Sequence, residues 1–291
     1  AVIWLTLPGA LRSMSVFHVR RIEIAGISYL DERLIAKALE LGPGASVFDR
    51  LERLLPFVSK PIQYIGGEVN AVTTKWDEAD VRWALMYPDA YEVGAPNQGV
   101  QILYEVLNEQ PGVLCERTYA VWPDLEALMR QHGVPQFTVD AHRPVGAFDL
   151  LGLSFSTELG YTNMLTALDL AGIPLIATER DETHPIVVAG GHAAFNPEPI
   201  ADFLDAAVLG DGEEAVLRLT EVVRDWKHSG RPDGRRGLLE AIARGIGKAE
   251  AQVQLVDLRA SDAQELAALV GEAAAVVVPT WPAAADGDLQ G

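Results

Sequence analysis

Cysteine is all but missing from the chain. Cys115 is the only one in 291 residues, which excludes an internal disulfide and any metal or cluster site built from several thiolates. A reducing, cytoplasmic compartment is the resulting expectation. Basic residues are also few: 23 Lys and Arg stand against 41 Asp and Glu, a formal net charge of −18, with the acids spread along the chain. A field of that sign repels phosphate backbones and anionic lipid, so nucleic acid and membrane surfaces are not expected partners without a basic patch. Arg231, Arg235 and Arg236 come nearest to one and read as a solvated loop. Long hydrophobic runs are missing too. Ala1–Leu11 is apolar but shorter than the ~20 residues that span a bilayer. It has neither the basic start nor the small-residue cleavage site of a signal peptide, so no membrane is expected unless an anchor precedes Ala1.

What is present is a large apolar fraction, 49%, ample for a buried core. Three segments read differently: 1–50, 51–232 and 233–291. In the first, a strand-like Val19–Ile24, a turn at Gly26 and a helix-like Asp31–Leu41 ended by Gly42-Pro43-Gly44 make a βα fragment. In the second, the short apolar runs Val81–Tyr87, Leu150–Phe155, Ile186–Ala189 and Ala206–Leu209 alternate with helical patterns. Runs of that kind fit strands buried on both faces, and the alternation with helices predicts a doubly wound parallel α/β sheet. Helix faces follow: Leu125, Leu128 and Met129; Tyr161, Met164, Leu165 and Leu168; Val216, Leu219, Val223 and Trp226. After the polar linker His228–Gly237, the third segment has a helix face (Leu238, Leu239, Ile242, Ile246). Two strands, Val253–Leu258 and Ala273–Pro279, and a helix, Ala263–Val270, complete another α/β unit.

In an open parallel sheet, ligands sit beyond the carboxyl ends of the strands, where helix N-termini present unpaired N–H groups. The residues placed there are the expected cofactor-binding set. Glu92, Gly94, Asn97 and Gly99 follow the first strand, and Ser154, Ser156 and Glu158 a second. Gly190, Gly191 and His192 follow a third, and Gly210, Gly212 and Glu213 a fourth. Glycine lets a ligand approach the backbone, and carboxylates accept hydroxyl or amide groups. The same glycines and acids also serve as turns and helix caps in any doubly wound fold. Glu92, Glu158, Glu198 and Glu213 have acid–base chemistry, but their spacing assigns none of them a catalytic role, and no metal site is read.

The middle segment resembles the N-terminal region of radical SAM proteins that carry a cobalamin-binding-like domain. The resemblance rests on the stretches 61–70 (PIQYIGGEVN), 88–94 (PDAYEVG), 102–104 (ILY) with 107–109 (LNE), 157–163 (TELGYTN), 170–174 (LAGIP), 189–191 (AGG) with 195–199 (FNPEP), and 210–214 (GDGEE), in family order over residues ~60–230, and it implies a flavodoxin-like sheet. It implies an accessory domain preceding a catalytic barrel that binds a [4Fe–4S] cluster and S-adenosylmethionine. In such enzymes a CxxxCxxC run holds the cluster; this chain has Cys115 alone, so no turnover is expected from it and its partner would be that barrel. Cobalamin domains with a protein axial ligand use DxHxxG. The nearest stretch, Asp140-Ala141-His142-Arg143-Pro144-Val145-Gly146, has its glycine one residue late and reads as a loop, so cobalamin would be held without that motif, with His192 better placed. The flanks resemble other families. Residues 17–49 are similar to the start of a POTRA domain from a division-septum membrane protein, which implies an envelope interaction module. Residues 238–280 are similar to part of the flavodoxin domain of flavodiiron proteins, which implies FMN-dependent electron transfer. Three partial resemblances in one chain point to a chimeric or generated sequence.

Overall fold

The computed structural model describes residues 46–72 and 76–246, with backbone only at 244–246, 255–256 and 275–277. The expected strand Val19–Ile24, the helices Asp31–Leu41 and Ala263–Val270, and most of the 17–49 resemblance lie outside the described residues.

Five strands form a parallel sheet: β1 (Val81–Tyr87), β2 (Val113–Tyr119), β3 (Leu150–Ser154), β4 (Ile186–Gly190) and β5 (Ala206–Leu209). Two short strands, β6 (Leu255–Val256) and β7 (Ala275–Val277), extend it, giving the order β2-β1-β3-β4-β5-β7-β6. Both lie inside the runs expected to be strands in the third segment. β7 runs antiparallel to β5 and parallel to β6. The order 2-1-3-4-5 is the flavodoxin-like one, with its reversal of direction between β1 and β3.

The helices are α1 (Val47–Glu52), α2 (Tyr91–Gly94), α3 (Gln98–Asn108), α4 (Pro123–His132), α5 (Tyr161–Leu170), α6 (Gly212–His228) and α7 (Gly234–Ile246). Their ends follow local rules. Asn97 caps α3 by accepting the Val100 N–H at 3.0 Å, α4 opens on Pro123, and Gly133 ends it at φ 62°.

Alternate residues of each strand feed two cores. Trp83 and Leu85 face one layer with α3, α6 and α7, while Ala84 and Met86 face the other with α5. This is why the strand runs are continuously apolar. Gly152 of β3 makes room for the Trp83 indole: a Cβ there would lie 2.8 Å from Leu85 and 3.2 Å from Trp83. Trp83 Nε1 donates to Thr220 Oγ1 at 2.9 Å, tying β1 to α6 inside that core. The segment after α6 was expected to be a solvated linker. It is a short turn, and Leu238 and Ile242 of α7 are buried in the same core as α6. Arg235, read as part of a solvated loop, sits on α7 and is only 9% exposed.

A third core lies beside the sheet, where Leu51, Leu54, Leu55 and Tyr64 pack on Leu125 and Met129 of α4 and on Phe137. The 3-10 turn Pro61–Tyr64 feeds this core with Tyr64, and Ile65 packs against it.

Candidate functional site at the carboxyl rim

Parallel strands carry their following turns to one edge, and the turns after β1, β3, β4 and β5 meet there in sequence. Asn163 Nδ2 donates to the Pro88 carbonyl at 2.9 Å, joining the start of α5 to the turn after β1. Phe155 N–H donates to the Gly190 carbonyl at 2.8 Å and Ala193 N–H to the Phe155 carbonyl at 3.2 Å, joining the turns after β3 and β4. The turn after β5 leads into α6, where Gly212 packs on Leu103 of α3.

Several residues expected to meet a ligand are committed to the protein itself. Gly191, at φ 91°, lies so close to the β3 turn that a Cβ would stand 2.4 Å from the Phe155 carbonyl oxygen. A Cβ on Gly94 would stand 2.6 Å from the Tyr119 ring, and one on Gly212 would touch Leu103 at 3.3 Å. The close approach these glycines permit is between segments of this chain. Asn97 is a helix cap. Glu92 pairs with Lys60, whose hydrogen bond pulls its carboxyl below the usual range. Ser154 ends β3, Gly190 ends β4, Gly210 turns at φ 105°, and Gly99 sits in the exposed first turn of α3. Ser156, Glu158, His192 and Glu213 remain exposed along the rim.

The rim also carries apolar side chains in water. Val93 after β1, Trp122 after β2, Leu159 after β3 and Phe195 after β4 are 49%, 43%, 83% and 44% exposed. Lys60 lies over the Trp122 ring at 4.9 Å. Single exposed apolar residues are ordinary, but here one follows each of four neighbouring strands.

Sequence reasoning missed a buried polar cluster at the β2 end of the same rim. β2 is an edge strand, yet all seven of its residues are buried, including Glu116 and Arg117. The segment 136–145 covers it: Val139 N–H donates to the Arg117 carbonyl at 2.8 Å, and the Thr138 hydroxyl donates to Glu116 at 2.5 Å. Arg143 Nε reaches Glu116 at 2.9 Å, while burial pushes the Glu116 carboxyl above its ordinary range. Arg117 Nη1 donates to Glu68 at 3.1 Å, its guanidinium lies over Tyr104 at 4.3 Å, and Tyr91 donates its hydroxyl proton to Glu68. Burial and this bond to Glu68 raise the Tyr91 hydroxyl to about 12. The Tyr119 hydroxyl is buried without a partner among the described residues. The available signal was the Glu116-Arg117 pair inside an otherwise strand-like run, because charges on both faces of a strand require buried partners.

Among the described residues, no group of three or more His, Cys, Asp and Glu side chains is placed to hold a metal ion, and no helix is long and apolar enough to cross a membrane. Cys115 is wholly buried in β2, where burial pushes its thiol well above the ordinary value. A lone buried thiol does not fit a [4Fe–4S] cluster. The DxHxxG-like stretch does not fit axial ligation either. His142 Nε2 donates to the Tyr64 carbonyl at 2.8 Å, and the ring lies between Phe48 and Phe137, at 4.5 and 5.8 Å. No catalytic step is therefore derived through either group.

Sheet order, two-sided core and a single rim of turns define a doubly wound, flavodoxin-like α/β domain. The family model described as radical SAM proteins, N-terminal, matches residues 99–248, just over half of the chain, and the chain belongs to that family. No curated protein and no solved structure matches it. No match supports the resemblances at residues 17–49 and 238–280.

Proposed function

We propose that the domain is the accessory part of a cytoplasmic radical SAM enzyme, without turnover of its own, and that it acts by seating the cluster-bearing catalytic domain on its carboxyl rim. The observation that carries this reading is the set of exposed Val93, Trp122, Leu159 and Phe195, one after each of β1 to β4. Exposed apolar side chains on neighbouring turns suit a partner of similar character. A radical SAM catalytic domain produced as a separate chain should bind this protein. Leu159→Asp with Phe195→Asp should weaken that association at least tenfold while leaving thermal stability unchanged. Association that ignores both substitutions would end this reading.

A second reading, cobalamin laid on the same rim, is favoured by His192, which is exposed on the turn after Gly190-Gly191. Titration with hydroxocobalamin, followed in the visible spectrum, tests it. A shift lost in His192→Ala supports ligation, and an unchanged spectrum in excess cobalamin leaves the protein contact alone.

A further inference from the structure

Two adjoining concavities lie at the opposite edge of the sheet, below the amino ends of β1, β3 and β4. One, of about 360 Å³, is lined by Arg82, Phe148, Asp149, Trp226, Arg231 and Arg235, among others. A second, of about 340 Å³, adjoins it through Arg82 and Arg231. We propose that this cleft binds a small organic oxyanion, a phosphate or carboxylate carried on a compact body.

Three arginines line the cleft, and two of them, Arg82 and Arg231, keep unused donors open to it. Arg235 directs Nη1 to the carbonyls of Asp181 and His184, and Nη2 to Pro185 and to Asp205 at 2.7 Å. Its Nε is buried without a partner. Arg82 uses Nε and Nη2 on the Trp76 carbonyl and lies over that ring at 4.5 Å, leaving Nη1 without a hydrogen bond among the described residues. Arg231, exposed, stands over Trp226 at 5.5 Å, and its side chain has no hydrogen-bond or ion-pair partner among the described residues. The turn that presents it takes left-handed backbone at Arg231 (φ 58°) and Asp233 (φ 54°), conformations that cost free energy in residues with a side chain.

The negative groups do not balance them. Asp149 is held by Lys227 at 2.9 Å, which leaves Glu182 and Asp80 as the acids facing Arg82 and Arg231. Deeper in the wall, Asp205 is shared by Arg180 at 2.8 Å and Arg235, so two buried guanidinium groups face one carboxylate. Buried charge is normally paired, and this wall lacks one anion. In a chain of net charge −18, a cleft with a surplus of arginine is an exception. Guanidinium forks match oxyanion geometry, and Trp226, Phe148 and Leu238 offer apolar surface to the body of the ligand. The volume lies within the range of small-molecule sites, roughly 300–1,000 Å³.

The test is titration of the full chain with inorganic phosphate and with adenosine monophosphate, at ionic strength matched by chloride, read by tryptophan fluorescence and thermal shift. Saturable binding of both anions is expected. Arg231→Glu should weaken it at least tenfold while the melting temperature without ligand stays at the wild-type value, and Arg82→Gln should weaken it less. Equal effects of phosphate and chloride, or unchanged affinity in Arg231→Glu, would overturn the site. Exclusion of adenosine monophosphate with retention of phosphate would overturn the organic body.

Discussion

Arg117 and Asp140 meet three times: the Arg117 backbone N–H donates to Asp140 Oδ2 at 2.6 Å, its Nη2 donates to Oδ1 at 2.6 Å, and its Nε donates to Oδ2 at 3.4 Å. One carboxylate thereby fixes both the backbone of an edge strand and the side chain that reaches over to Glu68. Burial alone would lower the Arg117 pKa; the hydrogen bonds and charge of Asp140, joined by Glu68, hold it above its ordinary value instead.

That pair sets the first prediction. Asp140→Ala leaves a buried guanidinium with only Glu68 opposite it, and removing one partner of a buried pair costs about 3–5 kcal/mol. Urea unfolding should show a loss of that order. Glu68→Gln should cost less, because Glu68 is partly exposed and Asp140 remains.

The second concerns pH. Burial lowers the His142 pKa from 6.5, with the Tyr64 carbonyl bond and the Asp140 charge opposing it. The unfolded chain therefore binds a proton that the folded one resists. His142 contributes stability that is present above pH 6.5 and is lost as pH falls through its lower, folded value. Melting temperature should drop between pH 8 and pH 5, and His142→Gln should reduce that drop.

Gly191 supplies the third. With φ 91° and a carbonyl oxygen 2.4 Å from any Cβ, Gly191→Ala combines backbone strain with a clash against rigid backbone. Strain of this kind costs about 1–3 kcal/mol, and the clash adds to it. Gly67→Ala, at φ 81° with nothing within 4 Å, isolates the strain alone and should cost less by denaturant titration.

A fourth prediction follows from Cys115. A wholly buried thiol with a raised pKa is a poor nucleophile, so a thiol reagent should label it only in denaturant. Cys115→Ala should leave any radical SAM partner activity unchanged. Rapid labelling of the native chain would place this strand at the surface, contrary to its position in the core.

The sequence by itself determined β1, β3, β4 and β5, their parallel sense and the gathering of their turns at one edge. Continuous apolar runs such as Val81–Tyr87 need cover on both faces, and alternation with helices supplies it. It also determined that Cys115 cannot hold a cluster, since counting thiols requires no coordinates. Only the tertiary structure decided what those turns touch. The glycines at 94, 191 and 212 read equally well as ligand cradles or as packing points until Tyr119, Phe155 and Leu103 are seen against them. Arg117 and Asp140 are 23 residues apart in sequence, and Arg82 and Arg231 meet in one cleft across an even longer span. Such pairings depend on the folding back of distant segments, and local periodicity carries no record of them.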